Sequence, residues 1–142
     1  MTRLGLVALF LLMSTVMTHA QTGACTEKVI KEGHLPVADD AFSYMPPYGK
    51  PVIGKPAMQD ANKKSFSDRT NITRSWVGEH KIVSSPSGDM AYEYGTVHMG
   101  YDDKDGHHEF QAVMLHVYKA KASACQMVAM TMQPLDEQSK KQ

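Results

Sequence analysis

The chain has 142 residues, a length that predicts one domain. Its 15 basic and 15 acidic side chains cancel, which argues against a nucleic-acid partner, since that would demand a basic face. The same balance gives no reason to expect binding to an anionic membrane surface.

The first residues read as an address. Arg3 supplies a positive start, Leu4 to Val16 is an apolar run, and Thr18-His19-Ala20 offers a small residue for cleavage. The run is too short to span a bilayer, which takes about 20 residues. A signal peptide over 1–20 is therefore expected, followed by a domain over 21–134 and a charged tail over 135–142. The mature chain, about 122 residues, would be periplasmic or secreted, with no membrane association after cleavage.

Cys25 and Cys125 both survive that cleavage. An even pair in an oxidising compartment reads as one disulfide. Two alternatives stand beside it. The cysteines could be separate thiols, or Cys25 could anchor a lipid after Thr22-Gly23-Ala24, although Thr22 occupies the place where leucine is usual.

Thr26 to Glu32 predicts a short helix with Gly33 as its cap, and Pro36 then enforces extended chain. Asp39 to Met45 reads as a strand with aromatic residues at period two, stopped by Pro46-Pro47. After a turn at Tyr48 to Pro51, Val52-Ile53 is a short return. Gly54-Lys55-Pro56 opens a second helix reaching about Phe66. Ser67 to Arg74 reads as a polar connector; its Asn71-Ile72-Thr73 matches a glycosylation acceptor, a pattern common by chance.

Four strand-like runs follow: Trp76 to Ser84, Asp89 to Tyr101, His107 to Tyr118 and Ala124 to Met132. The polar connectors between them are too short for parallel crossovers, so the runs form an antiparallel meander. A helix–strand–helix front and a curved meander make an α+β layout.

This order resembles the nuclear-transport-factor-2-like superfamily, in its SnoaL-like or ketosteroid-isomerase-like branch. The resemblance rests on Ala38-Asp39-Asp40-Ala41 through Met45-Pro46-Pro47-Tyr48-Gly49-Lys50-Pro51-Val52-Ile53-Gly54-Lys55. It continues in Ser87-Gly88-Asp89 with Ala91-Tyr92 and Gly95, and in Gln111 to Lys119. It implies a cone: a strongly bent antiparallel sheet wrapping helices, with a largely apolar cavity at the wide end. Too few residues precede Ala38 for the family's two opening helices, so the first is expected to be shortened or missing. Cys125 stands where relatives often place a tryptophan.

The resemblance implies binding of a small apolar or amphipathic molecule, with Phe42, Tyr44, Trp76, Tyr94, Met99, Phe110 and Met114 lining the cavity. It does not carry over the isomerase chemistry. That chemistry needs a carboxylate base and a tyrosine–acid oxyanion hole. The base position falls near Tyr44-Met45, the acid near Gln111, and the helix bearing the tyrosine is absent. Asp39 and Asp40 sit at a junction where solvated aspartates are ordinary.

One constellation merits a geometric test. If Ser84 faces Asp89 and Asp102 faces His107, His80, Glu93 and His116 align across three strands. Two imidazoles flanking a carboxylate could act as an acid–base relay or ligate a metal. A one-residue slip would separate them. By the same count, Val97, Met99, Phe110, Ala112 and Met114 share their face, whereas Tyr92, Tyr94, Thr96, His98, Gln111, Val113 and Leu115 take the other. Eight of the methionines lie beyond the leader and suit irregular apolar space. His107 and His108 flank a turn, where exposure is expected.

No nucleophile motif, phosphate-cradling loop or close Cys/His metal spacing is present, so neither cofactor nor metal is expected. Three functional classes remain. The first is a ligand-binding cone. The second is a lyase, isomerase or hydrolase using His80, Glu93 and His116. The third is a structural or regulatory subunit forming a homodimer through its open sheet face.

Overall fold

The computed structural model describes residues 24–45 and 50–135. The expected leader, the Pro46-Pro47 stop with Tyr48-Gly49, and the tail beyond Leu135 lie outside the described residues.

Helix α1 (Glu27–Glu32) is set by its ends. The Thr26 hydroxyl accepts from the Val29 N–H at 3.4 Å. Gly33, at φ 73°, donates its N–H to the Ile30 carbonyl. Strand β1 (Val37–Tyr44) and the two-residue β2 (Val52–Ile53) lead into α2 (Lys55–Phe66), with Pro56 in its first turn. Met58 of α2 packs on Ala38 and Ala41 of β1. The meander follows as β3 (Thr70–Ser84), β4 (Met90–Asp103), β5 (Gly106–Lys121) and β6 (Ala124–Pro134).

The six strands form one bent, open sheet in the order β2-β1-β6-β5-β4-β3. Neighbours are antiparallel except β1 and β6, which run parallel. No hairpin joins that pair, so no turn forces it antiparallel, and the sheet is mixed.

Burial alternates along the strands. Ala41 and Ser43 of β1 and Met45 just after it are buried, as are Ala91, Glu93, Val97 and Met99 of β4 and Ala112, Met114, His116 and Tyr118 of β5. Phe42, Tyr44, Tyr92, Tyr94 and Val113, on the other parity, are exposed. Both helices pack against the first set, so the concave face is the core, and among the described residues no helix covers the convex face.

Strand β3 begins at Thr70, well before the Trp76 at which the sequence run was expected to start, inside the segment read as a connector. Thr70 pairs with Asp102 and Thr73 with Gly100, and the Asn71 amide donates to Asp102 Oδ2 at 2.6 Å. Side chains 70–75 are all exposed, so this stretch has no apolar alternation to announce it. Backbone pairing with β4 makes it a strand.

Cys25 and Cys125 form a disulfide, with Cα atoms 4.9 Å apart. The bridge is buried with Ile30, Ala91 and Tyr118. The Cys25 N–H also donates to the Gly88 carbonyl at 3.0 Å, so the segment preceding β1 is fastened across the sheet.

Candidate functional site

Glu93 centres a polar group on the concave face. It stands opposite His116 in the β4–β5 ladder. Its Oε2 accepts from the Tyr118 hydroxyl at 2.9 Å and lies 3.0 Å from His116 Nδ1. Its Oε1 lies 3.4 Å from His80 Nε2.

His80 arrives by a route the sequence count did not contain. Ser84 pairs with Ala91, not Asp89, because Ser85 to Asp89 form the turn. Asp89 there accepts from the hydroxyls of Ser85 and Ser87, which ties up a carboxylate that the count had placed in the ladder. A two-residue slip preserves the face, since side chains alternate with period two. Glu93 therefore pairs with Ile82. Between Val77 and Lys81 the register shifts by two, with Gly78 at φ 67°. That bulge carries His80 over Gly95, where it stacks on Trp76 with centroids 4.5 Å apart. Gly95 is required there: a β-carbon on it would come within 2.8 Å of the His80 β-carbon.

The electrostatics fix the protons. Burial pushes the His116 pKa down, against the opposing pull of Glu93, so its imidazole is neutral at pH 7. The carboxylate can only accept, so Nδ1 carries the proton and Nε2 is left with a lone pair. Burial, reinforced by the Glu93 charge and hydrogen bond, lifts the Tyr118 phenol above its ordinary value, keeping it a donor. Arg74, whose guanidinium carbon lies 5.7 Å from the Trp76 ring centroid, further disfavours charge on His116. An oriented neutral imidazole beside a carboxylate is competent for proton transfer. Among the described residues, no group of three His, Cys, Asp or Glu side chains is arranged to hold a metal ion.

A separate cavity of about 30 Å³ lies where the end of α2 meets the sheet. Met45, Phe66, Met99, Phe110 and Met132 line it, together with Tyr101 and Arg69. The convex face carries a larger open groove between Val83, Met90, Tyr92, Leu115 and Val117.

Of the residues expected to line the cavity, Met99 and Phe110 do so. Trp76 and Met114 lie in the same core cluster. Phe42, Tyr44 and Tyr94 require correction: they project from the convex face and are 39%, 41% and 38% exposed. Their aromatic period of two was sound, but it does not say which parity faces inward. Tyr118, Phe66 and Arg69 went unremarked in the sequence. For Tyr118 a signal existed, since it follows His116 by two residues and so shares its face. His107 and His108 sit on the β4–β5 hairpin, bonded to Asp102 and Asp103. Asp40 is exposed and pairs with Lys121.

No family model matches the chain, and no curated protein matches it. Solved structures do. An NTF2-like protein of unknown function from Prochlorococcus aligns over 74% of this chain and 79% of its own, at 15% identity and a TM-score of 0.57. A ketosteroid isomerase-like protein from Erwinia carotovora atroseptica aligns over 76% and 79%, at 17% identity and a TM-score of 0.58. The fold is nuclear-transport-factor-2-like. The CaMKII association domain of C. elegans shares it, over 78% of this chain and 82% of its own, at 13% identity and a TM-score of 0.54. At these identities the likeness concerns the fold, and the site must be argued from this chain's own residues.

Proposed function

We propose that this chain is an exported, single-domain cone that binds a small apolar or amphipathic molecule on its concave side. The observation that supports it is the apolar cavity bounded by Met45, Phe66, Met99, Phe110 and Met132. Unbranched thioethers adjust to an incoming molecule by rotating, with little rearrangement of the backbone. The Cys25–Cys125 bridge supports export, because disulfides persist in oxidising compartments. It also occupies the sulfur that a lipid anchor would need. The exposed Phe42, Tyr44, Tyr92, Tyr94 and Val113 on the convex face support a homodimer formed through that face.

Methionine-methyl NMR of the full mature chain tests the binding reading. A screen of small apolar compounds should shift Met99 and Met132, while Met90 on the convex face stays put. A screen that moves Met90 alone, or no methionine, would sink it.

Acid–base catalysis is the second reading, and it rests on the neutral His116 oriented by Glu93. It ranks below binding because none of His80, Glu93 and His116 lines the cavity.

A further inference from the structure

We propose that the segment from Cys25 to Pro36 is a redox-released strap over the Glu93 group, and that reducing the Cys25–Cys125 bridge opens that group to solvent. This goes beyond the binding reading and holds whether or not the group turns over a substrate.

The strap is fastened at its two ends. One end is held by the bridge and by the Cys25 N–H, which donates to the Gly88 carbonyl at 3.0 Å. At the other end the Pro36 carbonyl accepts from the Met127 N–H at 2.9 Å. Between them lies α1, six residues long, well below the about 12–15 at which a helix begins to hold itself in water. Its ion pairs, Glu27–Lys31 and Lys28–Glu32, are exposed and internal to the helix, so they do not tie it to the sheet. Ile30 is its buried residue. After the helix, Gly33 at φ 73° and His34 at φ 62° are two successive residues at positive φ, a natural pivot beside the Pro36 anchor.

Beneath the strap lie the neighbours of Glu93. The bridge and Ile30 share one apolar cluster with Ala91 and Tyr118, and Ile82 packs against it. Ala91 stands two residues from Glu93 on the same face of β4, and Ile82 pairs with Glu93 across the ladder. The Tyr118 hydroxyl donates to Glu93 Oε2 at 2.9 Å. Tyr118 is therefore the joint, its ring packed with the strap and its hydroxyl on the carboxylate. Glu93 and His116 are buried, and neither lines the cavity at the end of α2 or the convex groove. Lifting the strap strips apolar cover from Ala91 and Tyr118 and lets water reach the carboxylate. Met99 and Met132 belong to a separate core cluster, which the strap does not touch.

The release step is thiol–disulfide exchange. A dithiol gives two electrons and two protons to the bridge: the bond between the two sulfurs breaks, each becomes a thiol, and the reductant closes to its own disulfide. The bridge is buried, but Cys125 follows the exposed Ala124 of the β5–β6 hairpin, so fraying at that end of the sheet admits the reductant.

NMR of the full mature chain, oxidised and after reduction by dithiothreitol, tests this. The Ile30 and Gly33 amides, bonded to the Thr26 and Ile30 carbonyls, report the strap. The His116 ring reports the polar group, and the Met99 and Met132 methyls report the other core. Reduction should speed exchange of both amides at least about tenfold. The His116 titration midpoint should move upward, because hydration relieves the burial that depresses it. Both methyls should stay in place. Unchanged amides and midpoint with both thiols free would overturn the proposal, since α1 would then hold by its own packing. Faster exchange without a midpoint shift, or the reverse, would separate strap from group and refute the gating. Loss of the Met99 and Met132 signals would make the bridge a staple of the whole fold and overturn the proposal equally. A Cys25→Ser, Cys125→Ser double variant should behave as the reduced chain without added dithiol, and oxidised-like behaviour from it would count against the strap.

Discussion

Replacing Gly95 by alanine probes the packing that delivers His80 to Glu93. The new β-carbon would lie 2.8 Å from the His80 β-carbon and 3.2 Å from both the His80 α-carbon and Trp76 Cε3. Two of those three atoms belong to, or are bonded directly to, the β3 backbone and cannot swing aside, so the bulge itself must move. Overpacking of this kind costs about 1–3 kcal/mol. The smaller unfolded-state entropy of alanine offsets about 0.4–1 kcal/mol of that, leaving a net loss of about 1–2 kcal/mol. Gly100→Ala on the same strand is the matched control. Its β-carbon would meet Thr73 Oγ1 at 2.7 Å, but the next atoms stand off at 3.8 Å and 3.9 Å, and a threonine hydroxyl can rotate away. That change should cost less than about 1 kcal/mol. Urea unfolding measures both, and fluorescence of the single tryptophan, Trp76, reports whether its stack on His80 survives. Should Gly95→Ala prove as stable as Gly100→Ala with an unaltered tryptophan spectrum, the claim that β3 and β4 are locked at the bulge is wrong.

Glu93→Gln should destabilise by about 1.5–3 kcal/mol, because the buried donors of His116 and Tyr118 lose a charged acceptor. Tyr118→Phe should cost about 1 kcal/mol, and the double variant should cost less than the sum in a urea double-mutant cycle, since both changes act on one bond. Strict additivity would show that the two groups do not interact. Reducing Cys25–Cys125 should lower stability by about 2–4 kcal/mol in urea melts with and without a dithiol, because the bridge constrains a loop spanning 100 positions in the unfolded chain. An unchanged midpoint with both thiols demonstrably free would count against it. His116 gives a pH dependence: its folded pKa is depressed by burial, so its contribution is present above the unfolded value of 6.5 and is lost as pH falls below it. His107 works in the opposite direction and in another window. Its pKa is raised by hydrogen bonds to Asp102 and Glu109, so its contribution is complete below 6.5 and fades as pH rises through the higher folded value. Stability measured from pH 6.5 to 5 should therefore fall, and His116→Gln should flatten that slope; a slope surviving the substitution assigns it to another group.

Much of the fold was legible because its determinants are local. Thr26 and Gly33 capped α1 as their chemistry predicts, Pro56 opened α2, and Ser85 to Asp89 turned the chain between two strands. The face assignments on β4 and β5 also held, because alternation needs only parity. The site was legible in composition and not in route. His80, Glu93 and His116 do meet, but the Ser84–Asp89 pairing used to align them is wrong, and the bulge at Gly78 supplies what that count lacked. Gly78 inside β3 was the available signal, since a glycine within a strand often marks a bulge, but the count ran the strand straight through it. The first residues of β3 were missed for another reason, since an exposed edge strand buries nothing and so shows no pattern.

Taken alone, the sequence determined the order of helices and strands and which residues of β4 and β5 share a face. Turn chemistry, capping and period-two alternation act within a few residues of chain, so they can be read in one dimension. Only the tertiary structure decided which face points inward, and so removed Phe42, Tyr44 and Tyr94 from the cavity. It also joined Cys25 to Cys125 in a bridge, and it set Arg69 near Tyr101 and Phe66 at the end of α2. Each of those outcomes joins groups far apart in the chain or depends on which face the helices cover, and both are properties of the packed molecule.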